Sequence, residues 1–315
     1  MTSARTLAGV LIGCALVAGA CSSSDEPPPD EPQPQPAPTV DAQQKKTEPP
    51  GIAPAQYRQQ LATTGRPMSD ALAGIRDAQT EAALSAHLGS AERAVGRSIT
   101  ALAAIQPPEA GRAEHADYVS ALRTLDADLT EVQSAVSGKD LCAPSSVLSR
   151  LGALRSRSLV PAAAQALQQK GFATHLSLPA APREQTRRLA NGTFTRAGSR
   201  TGLGRLRIRN DGSTDAVVSL VTRRVPAFAV YVRSGASYTV TGIKDGTYVA
   251  YFTTGRDWDQ AGNSFTRSCN FTRYDDDFPY VTTPTVRPGW TITLEEVING
   301  NARTSDVDPK NYPSG

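Results

Sequence analysis

Between residues 53 and 172 apolar positions recur at the spacing of one helix face, in three separate runs. The first holds Tyr57, Leu61, Met68, Leu72 and Ile75; the second Leu84, Leu88, Ala91, Val95, Ile99 and Leu102; the third Tyr118, Leu122, Leu125, Leu129, Val132 and Val136. Carrying the first run forward by sevens predicts apolar residues at 82 and 89, but the second falls at 84, 88 and 91. The phase slip places a turn near Gln79-Thr80, with Thr80 as N-cap and Glu81 in the first turn. Gln106-Pro107-Pro108 ends the second helix, because the residue before a proline avoids the α region, and Gly138 suits the end of the third. Pro67 either kinks the first helix or marks its start. Two shorter helices are expected over 145–155 and 161–170, with Pro161 at a first helical position and Gly171 as cap. Each seam is a candidate partner-binding face. Three complementary seams joined by short loops satisfy one another, so core burial in an antiparallel bundle is the reading taken.

Around Thr201 the period changes from 3.6 to 2 and most of the aromatic residues appear. Strands are expected at 205–209, 216–222, 227–233, 238–241, 247–254, 265–273, 280–283 and 290–297, parted by turn signals such as Asn210-Asp211-Gly212 and Lys244-Asp245-Gly246. Eight short strands at this spacing predict a β-sandwich. In 265–273, Phe265, Cys269 and Phe271 share the inward face, while Thr266, Ser268, Asn270 and Thr272 face water. The fold class is therefore α + β as separate domains: an antiparallel helical bundle followed by an Ig-like or transthyretin-like β-sandwich.

The first residues change the picture most. Arg5 precedes an uncharged stretch, 7–20, too short for a span of about 20 residues. It closes with Leu16-Val17-Ala18-Gly19-Ala20-Cys21, then Ser22, Ser23 and Ser24. This pattern resembles a bacterial lipoprotein signal. The resemblance implies cleavage after Ala20 and a diacylglyceryl thioether on Cys21, whose two acyl chains hold a protein durably on a membrane. The alternative is an ordinary secretory signal with an incidental Cys21; Leu11-Ile12-Gly13-Cys14 has too short an apolar stretch ahead of it. The stretch 25–50 is rich in proline and polar residues with almost nothing to bury. Fully extended as polyproline II, the roughly 30 residues between Cys21 and the first helix would reach up to about 90 Å from the lipid at about 3.1 Å per residue.

These boundaries give a signal at 1–20, a lipidated terminus and tether at 21–52, the bundle at 53–173, a basic linker at 174–200, the sandwich at 201–303 and a tail at 304–315. The expected location is the extracytoplasmic face of the cell membrane. The formal charge of +3 falls to +2 when Arg5 leaves with the signal, too little to argue for nucleic acid.

Gly242-Ile243-Lys244-Asp245-Gly246-Thr247-Tyr248, followed by Tyr251-Phe252, resembles the Gly-x-Tyr strand start of transthyretin-like and carboxypeptidase-regulatory-like modules. Across 202–313, Asp215-Ala216-Val217-Val218, Tyr231-Val232-Arg233, Thr254-Gly255-Arg256-Asp257-Trp258-Asp259 and Asn299-Gly300-Asn301-Ala302 resemble an uncharacterised C-terminal module of actinobacterial secreted and membrane proteins. That resemblance implies fold and location and supplies no mechanism.

Chemistry is sparse. The three histidines, His87, His115 and His175, stand without His-x-x-Glu-His, Gly-x-Ser-x-Gly or cysteines at zinc spacing. His115 reads as a solvated helix-surface residue. Gly202-Leu203-Gly204 reads as a strand start, since Arg207 occupies the third glycine of a dinucleotide fingerprint. Asp257-Trp258-Asp259-Gln260-Ala261-Gly262 has two acids and a glycine where a calcium loop would put them. Ala261 and Ser268 stand where ligands belong, however. Tyr274-Asp275-Asp276-Asp277 reads as a charged turn. Tyr251, Trp258 and Tyr274 are candidates for an aromatic platform that takes a sugar ring or a partner, with core burial as the alternative.

Between Arg150 and Arg209 twelve basic residues stand against one acid, Glu184. They suit either a solvated linker and outward faces, or a surface attracting anionic lipid or wall polymer. Cys142 and Cys269 form a candidate disulfide in an oxidising compartment, a choice left even against two buried thiols. The sequence thus points to a membrane-anchored envelope lipoprotein without catalytic site, cofactor or metal, which binds or scaffolds an envelope protein or an anionic wall polymer. The alternative is an envelope hydrolase with a site between the domains.

Overall fold

The computed structural model describes residues 51–294 and 303–313. The signal, Ala20, Cys21, nearly all of the tether and the stretch 295–302 lie outside the described residues.

Helices come first. α1 (Pro54–Gly74) starts on a proline and runs through Pro67. Pro67 therefore neither starts the helix nor ends it. The ring lies on the exposed side, where the carbonyl that loses its amide donor is free to meet water. α2 (Glu81–Ala103) begins where Thr80 Oγ1 accepts from the Ala83 amide at 3.1 Å. α3 (Arg112–Ser137), α4 (Pro144–Ala153) and α5 (Ser156–Gln169) follow.

α5 starts five residues before Pro161, the expected first position. Its Ser156 amide donates to the Asp128 carboxylate of α3 at 3.0 Å, so a tertiary contact caps a turn that sequence periodicity could not place. Apolar residues from all five helices share one core. At its centre Tyr57, Leu61, Met68, Leu88, Leu122 and Leu129 are fully buried.

Nine strands follow among the described residues: β1 (Phe194–Arg196), β2 (Gly204–Asn210), β3 (Asp215–Thr222), β4 (Val225–Val232), β5 (Ala236–Ile243), β6 (Gly246–Asp259), β7 (Ser264–Tyr280), β8 (Gly289–Thr293) and β9 (Thr304–Asp306). They form a six-stranded sheet, ordered β1-β4-β3-β6-β7-β9, and a three-stranded sheet, β5-β2-β8. Every pairing is antiparallel except β2 with β8. β1 lies inside the stretch expected as linker and β9 inside the expected tail. Three-residue strands carry too little alternation to be read, and neighbouring strands recruit them. The expected separate strand at 280–283 is absent, because Tyr280 closes the seventeen-residue β7.

β3 is buried on both faces, so its residues sort into two cores. Ala216, Val218 and Leu220 join Leu206, Ile208 and Val240 of the smaller sheet in the space between the sheets. Val217 faces the other way, with Ala229, Tyr231, Trp258, Phe265 and Cys269.

β7 bulges at Ser268, which takes φ +52° where the register with β6 shifts, yet Phe265, Cys269 and Phe271 still share one core as expected. Thr266 and Thr272, expected on the wet face, are buried at 1% and 5% exposure: Thr266 donates to Asp257, and Thr272 is paired with Phe252 of the core between the sheets.

The bulge is also where the helices meet the sheet. The loop after α3 pairs with it: Ser268 N donates to Asp140 O at 3.1 Å, Cys269 N to Lys139 O at 2.9 Å and Cys142 N to Thr266 O at 2.9 Å. A disulfide joins Cys142 to Cys269 at this seam.

Candidate functional site

From Thr174 the chain leaves the helices as an extended strap and crosses to the outer face of the six-stranded sheet. Two glycines permit the crossing. A Cβ at Gly65 would stand 1.9 Å from Thr174 O, and one at Gly152 would stand 2.3 Å from the Ala181 Cβ. Ser69 Oγ accepts from Ser177 N at 2.8 Å, and Arg157 Nη1 donates to Pro179 O at 3.0 Å.

Two consecutive arginines then fasten the strap to buried acids. Asp257 takes φ +56° within β6, an unusual conformation, and its carboxylate meets the strap. It accepts from Arg187 N at 2.9 Å, Arg187 Nε at 2.8 Å, Arg187 Nη2 at 2.9 Å and Thr266 Oγ1 at 2.7 Å. Arg187 also reaches Asp259 Oδ1 at 3.0 Å. Burial alone would raise the Asp257 pKa. The bonds from Arg187 and Thr266 outweigh it and hold the carboxyl at about 2.

Beside it, Arg188 Nε donates to Asp215 Oδ2 at 2.6 Å, and the Ser234 amide donates to Oδ1 at 2.9 Å. The buried Tyr231 hydroxyl donates to the same carboxylate. The Asp215 pKa is lowered as well: burial opposes ionisation, and Arg188, Tyr231 and Ser234 overcome it. The Tyr231 pKa is raised by burial and by that carboxylate.

This arrangement corrects several expectations. Arg187 and Arg188 are paired rather than free, so the basic stretch does not act as one uncompensated surface; Arg150, Lys170 and Arg209 have acidic partners too. Asp257 and Asp259 are occupied by the strap. Among the described residues no group of three His, Cys, Asp or Glu side chains is placed to hold a metal ion. The structure does not bring Tyr251, Trp258 and Tyr274 onto one platform. Trp258 and Tyr274 are buried at 3% and 2% exposure in the cores on opposite faces of the sheet, and Tyr274 Oη donates to Thr293 O at 2.6 Å. Tyr251 is half-buried and meets Tyr312 edge-on, with centroids 6.1 Å apart. The acids 275–277 lie within β7, not in a turn.

His115 is buried rather than solvated. Its Nδ1 is 2.8 Å from Tyr57 Oη, and burial pushes its pKa down. His175 is exposed at φ +56°, where the strap begins.

Sequence reasoning missed a cleft on the strap side of the larger sheet. Thr195, Arg196, Ser219, Thr253, Trp258 and Tyr312 line it. Trp258 packs its ring against Phe265 at 5.0 Å and Tyr231 at 6.1 Å, which fixes the indole at the cleft floor. Tyr312 crosses above, edge-on to Phe271 at 5.2 Å. Two buried polar atoms here have no hydrogen-bond partner: Trp258 Nε1 and Thr253 Oγ1. The alternation of Thr253 along β6 was visible in the sequence, but nothing there marked its hydroxyl as unpaired.

Comparison with family models, with curated proteins and with solved structures finds no match for this chain. The arrangement of residues is therefore the ground for any functional reading. Among the described residues no helix is long and apolar enough to cross a membrane.

Proposed function

We propose that the chain is an envelope lipoprotein on the extracytoplasmic face of the cell membrane. In this reading Cys21 carries the lipid, residues 22–50 are the tether, and the remainder binds or scaffolds without catalysis. The helices form an antiparallel bundle, and the two sheets form an Ig-like or transthyretin-like sandwich of the kind the 202–313 resemblance implies. The bundle reading is supported by the short connections between α1, α2 and α3 over one shared core. The sandwich reading is supported by the core between the sheets.

One observation carries the proposal: the Cys142–Cys269 disulfide. Such bonds persist in oxidising compartments and are rare where glutathione and thioredoxin keep thiols reduced. This agrees with export under a lipoprotein signal. The bond also ties the loop after α3 to β7, and the strap that follows α5 is fastened to Asp257 of β6 and Asp215 of β3. A body cross-braced at several points suits a rigid scaffold held off a membrane better than one that opens and closes around a substrate.

The test is crosslinking in intact cells of the wild-type chain and of Cys21→Ser. The expected result is one adduct at a fixed ratio to the wild-type chain, lost when Cys21→Ser is released to the medium. Absence of any adduct with the membrane-held chain would overturn the scaffolding role.

A further inference from the structure

The geometry points to the cleft over Trp258 as a binding site for a small carboxylate group. This goes beyond the scaffolding role and does not depend on the lipid anchor.

The argument starts from the two unpaired atoms. A buried polar group without a partner loses its hydration and gains nothing in return, so such groups are rare in folded proteins. Here two line one cleft, on residues each only 3% exposed. An indole N–H can only donate, and a hydroxyl can donate as well as accept, so a single acceptor satisfies both.

The remaining lining sets its charge. Arg196 stands at the rim, and no carboxylate among the described residues pairs with it. Thr195 and Asn263 add further donors, the Ser219 side chain bonds to the Tyr312 hydroxyl, and no acidic residue lines the cleft. A cation would meet the arginine with nothing to neutralise it, whereas an anion meets donors on several sides. With Tyr312 in place the free space holds about two water molecules, the size of one carboxylate.

Access comes from the C-terminal segment. Tyr312 and Pro313 line the cleft. The Tyr312 hydroxyl is 3.5 Å from Val217 O, longer than a normal hydrogen bond, and its other contacts are the Ser219 side chain and the rings of Tyr251 and Phe271. Lifting this segment exposes the indole N–H and the threonine hydroxyl without disturbing the sheet beneath.

The carboxylate can come from a free small acid or from the C-terminus of a peptide, and the two are separable. The full chain, labelled with ¹⁵N, is titrated at constant ionic strength with acetate, with N-acetyl-Ala-Ala and with the C-terminal amide of that dipeptide. The readout is the indole Nε1–H signal of Trp258. It is assigned against Trp290→Phe, since the chain has two tryptophans.

A saturable shift is expected with acetate or the free dipeptide and not with the amide; the tighter of the two names the source. Arg196→Gln and Thr253→Val each weaken that binding at least tenfold, while far-UV circular dichroism stays unchanged. Arg196 is exposed, so its variant keeps the test decisive should Thr253→Val fail to fold. A shift that never saturates, as two trapped waters would give, overturns the site. Equal binding of the amide, or full binding retained by Arg196→Gln, overturns it as well.

Discussion

Replacing Asp257 by asparagine keeps the shape of the side chain and removes its charge. The carboxylate accepts four hydrogen bonds, three from Arg187 and one from Thr266. Its folded pKa of about 2 lies roughly two units below that of an unfolded aspartate. At about 1.36 kcal/mol per unit, ionisation in the folded state contributes roughly 2.5 kcal/mol. The Arg187 side chain is 42% exposed and regains water when its partner is lost. The loss therefore stays below the roughly 3–5 kcal/mol typical of a fully buried pair broken on one side.

The expected loss is about 2 kcal/mol at pH 6, read by urea unfolding with the disulfide intact. The sign of the pH dependence follows from the depressed pKa. The carboxylate's contribution is complete above about pH 4 and disappears as pH falls through about 2. The gap between wild type and Asp257→Asn should accordingly stay constant from pH 6 to about 4.5 and nearly close at pH 2. A gap under about 0.5 kcal/mol at pH 6, or one that is unchanged at pH 2, would refute the reasoning.

Three further outcomes are expected. Reducing the Cys142–Cys269 bond frees a loop with a sequence separation of 127, and unfolding stability should drop by about 3–5 kcal/mol by loop-closure entropy; an unchanged urea midpoint after reduction would contradict this. Tyr57→Phe removes the partner of buried His115 and should cost about 1–3 kcal/mol by thermal unfolding, where a cost near zero would mean that the pair contributes nothing. Because the His115 pKa is lowered by burial, the unfolded chain takes up its proton first. Stability should fall as pH drops below about 6.5, and the imidazole should titrate below that value by NMR, against a normal midpoint if the ring is solvated.

The helical half was legible because each seam is long and strictly periodic. Leu84, Leu88, Ala91, Val95 and Leu102 stand as spaced, all buried. Thr80 was readable as a cap because its partner is three residues away. Features set by distant partners were not readable. The start of α5 depends on Asp128, twenty-eight residues earlier, and the strap depends on Arg187 meeting Asp257 seventy residues later. β1 and β9 are too short to carry a period. The shared face of Phe265, Cys269 and Phe271 was readable from their spacing, whereas the burial of Thr266 and Thr272 depends on Asp257 and on the second sheet.

The candidate site fared worst, for a related reason. Tyr251, Trp258 and Tyr274 look alike as aromatic residues among strands, and only the bulged register decides which face each one takes. Trp258 was singled out for its ring, yet the atom without a partner is its nitrogen. No composition or spacing rule reports an unpaired donor. It follows from what the folded neighbours leave out of reach.

The central claim, a lipid-held protein outside the cytoplasm, is tested most directly by intact-mass and N-terminal peptide mass spectrometry of the product from native membranes. The account predicts a chain beginning at Cys21, with a diacylglyceryl group on its sulfur, in the membrane fraction. A chain recovered from the medium with an unmodified thiol at Cys21, or one retaining residues 1–20, would contradict it.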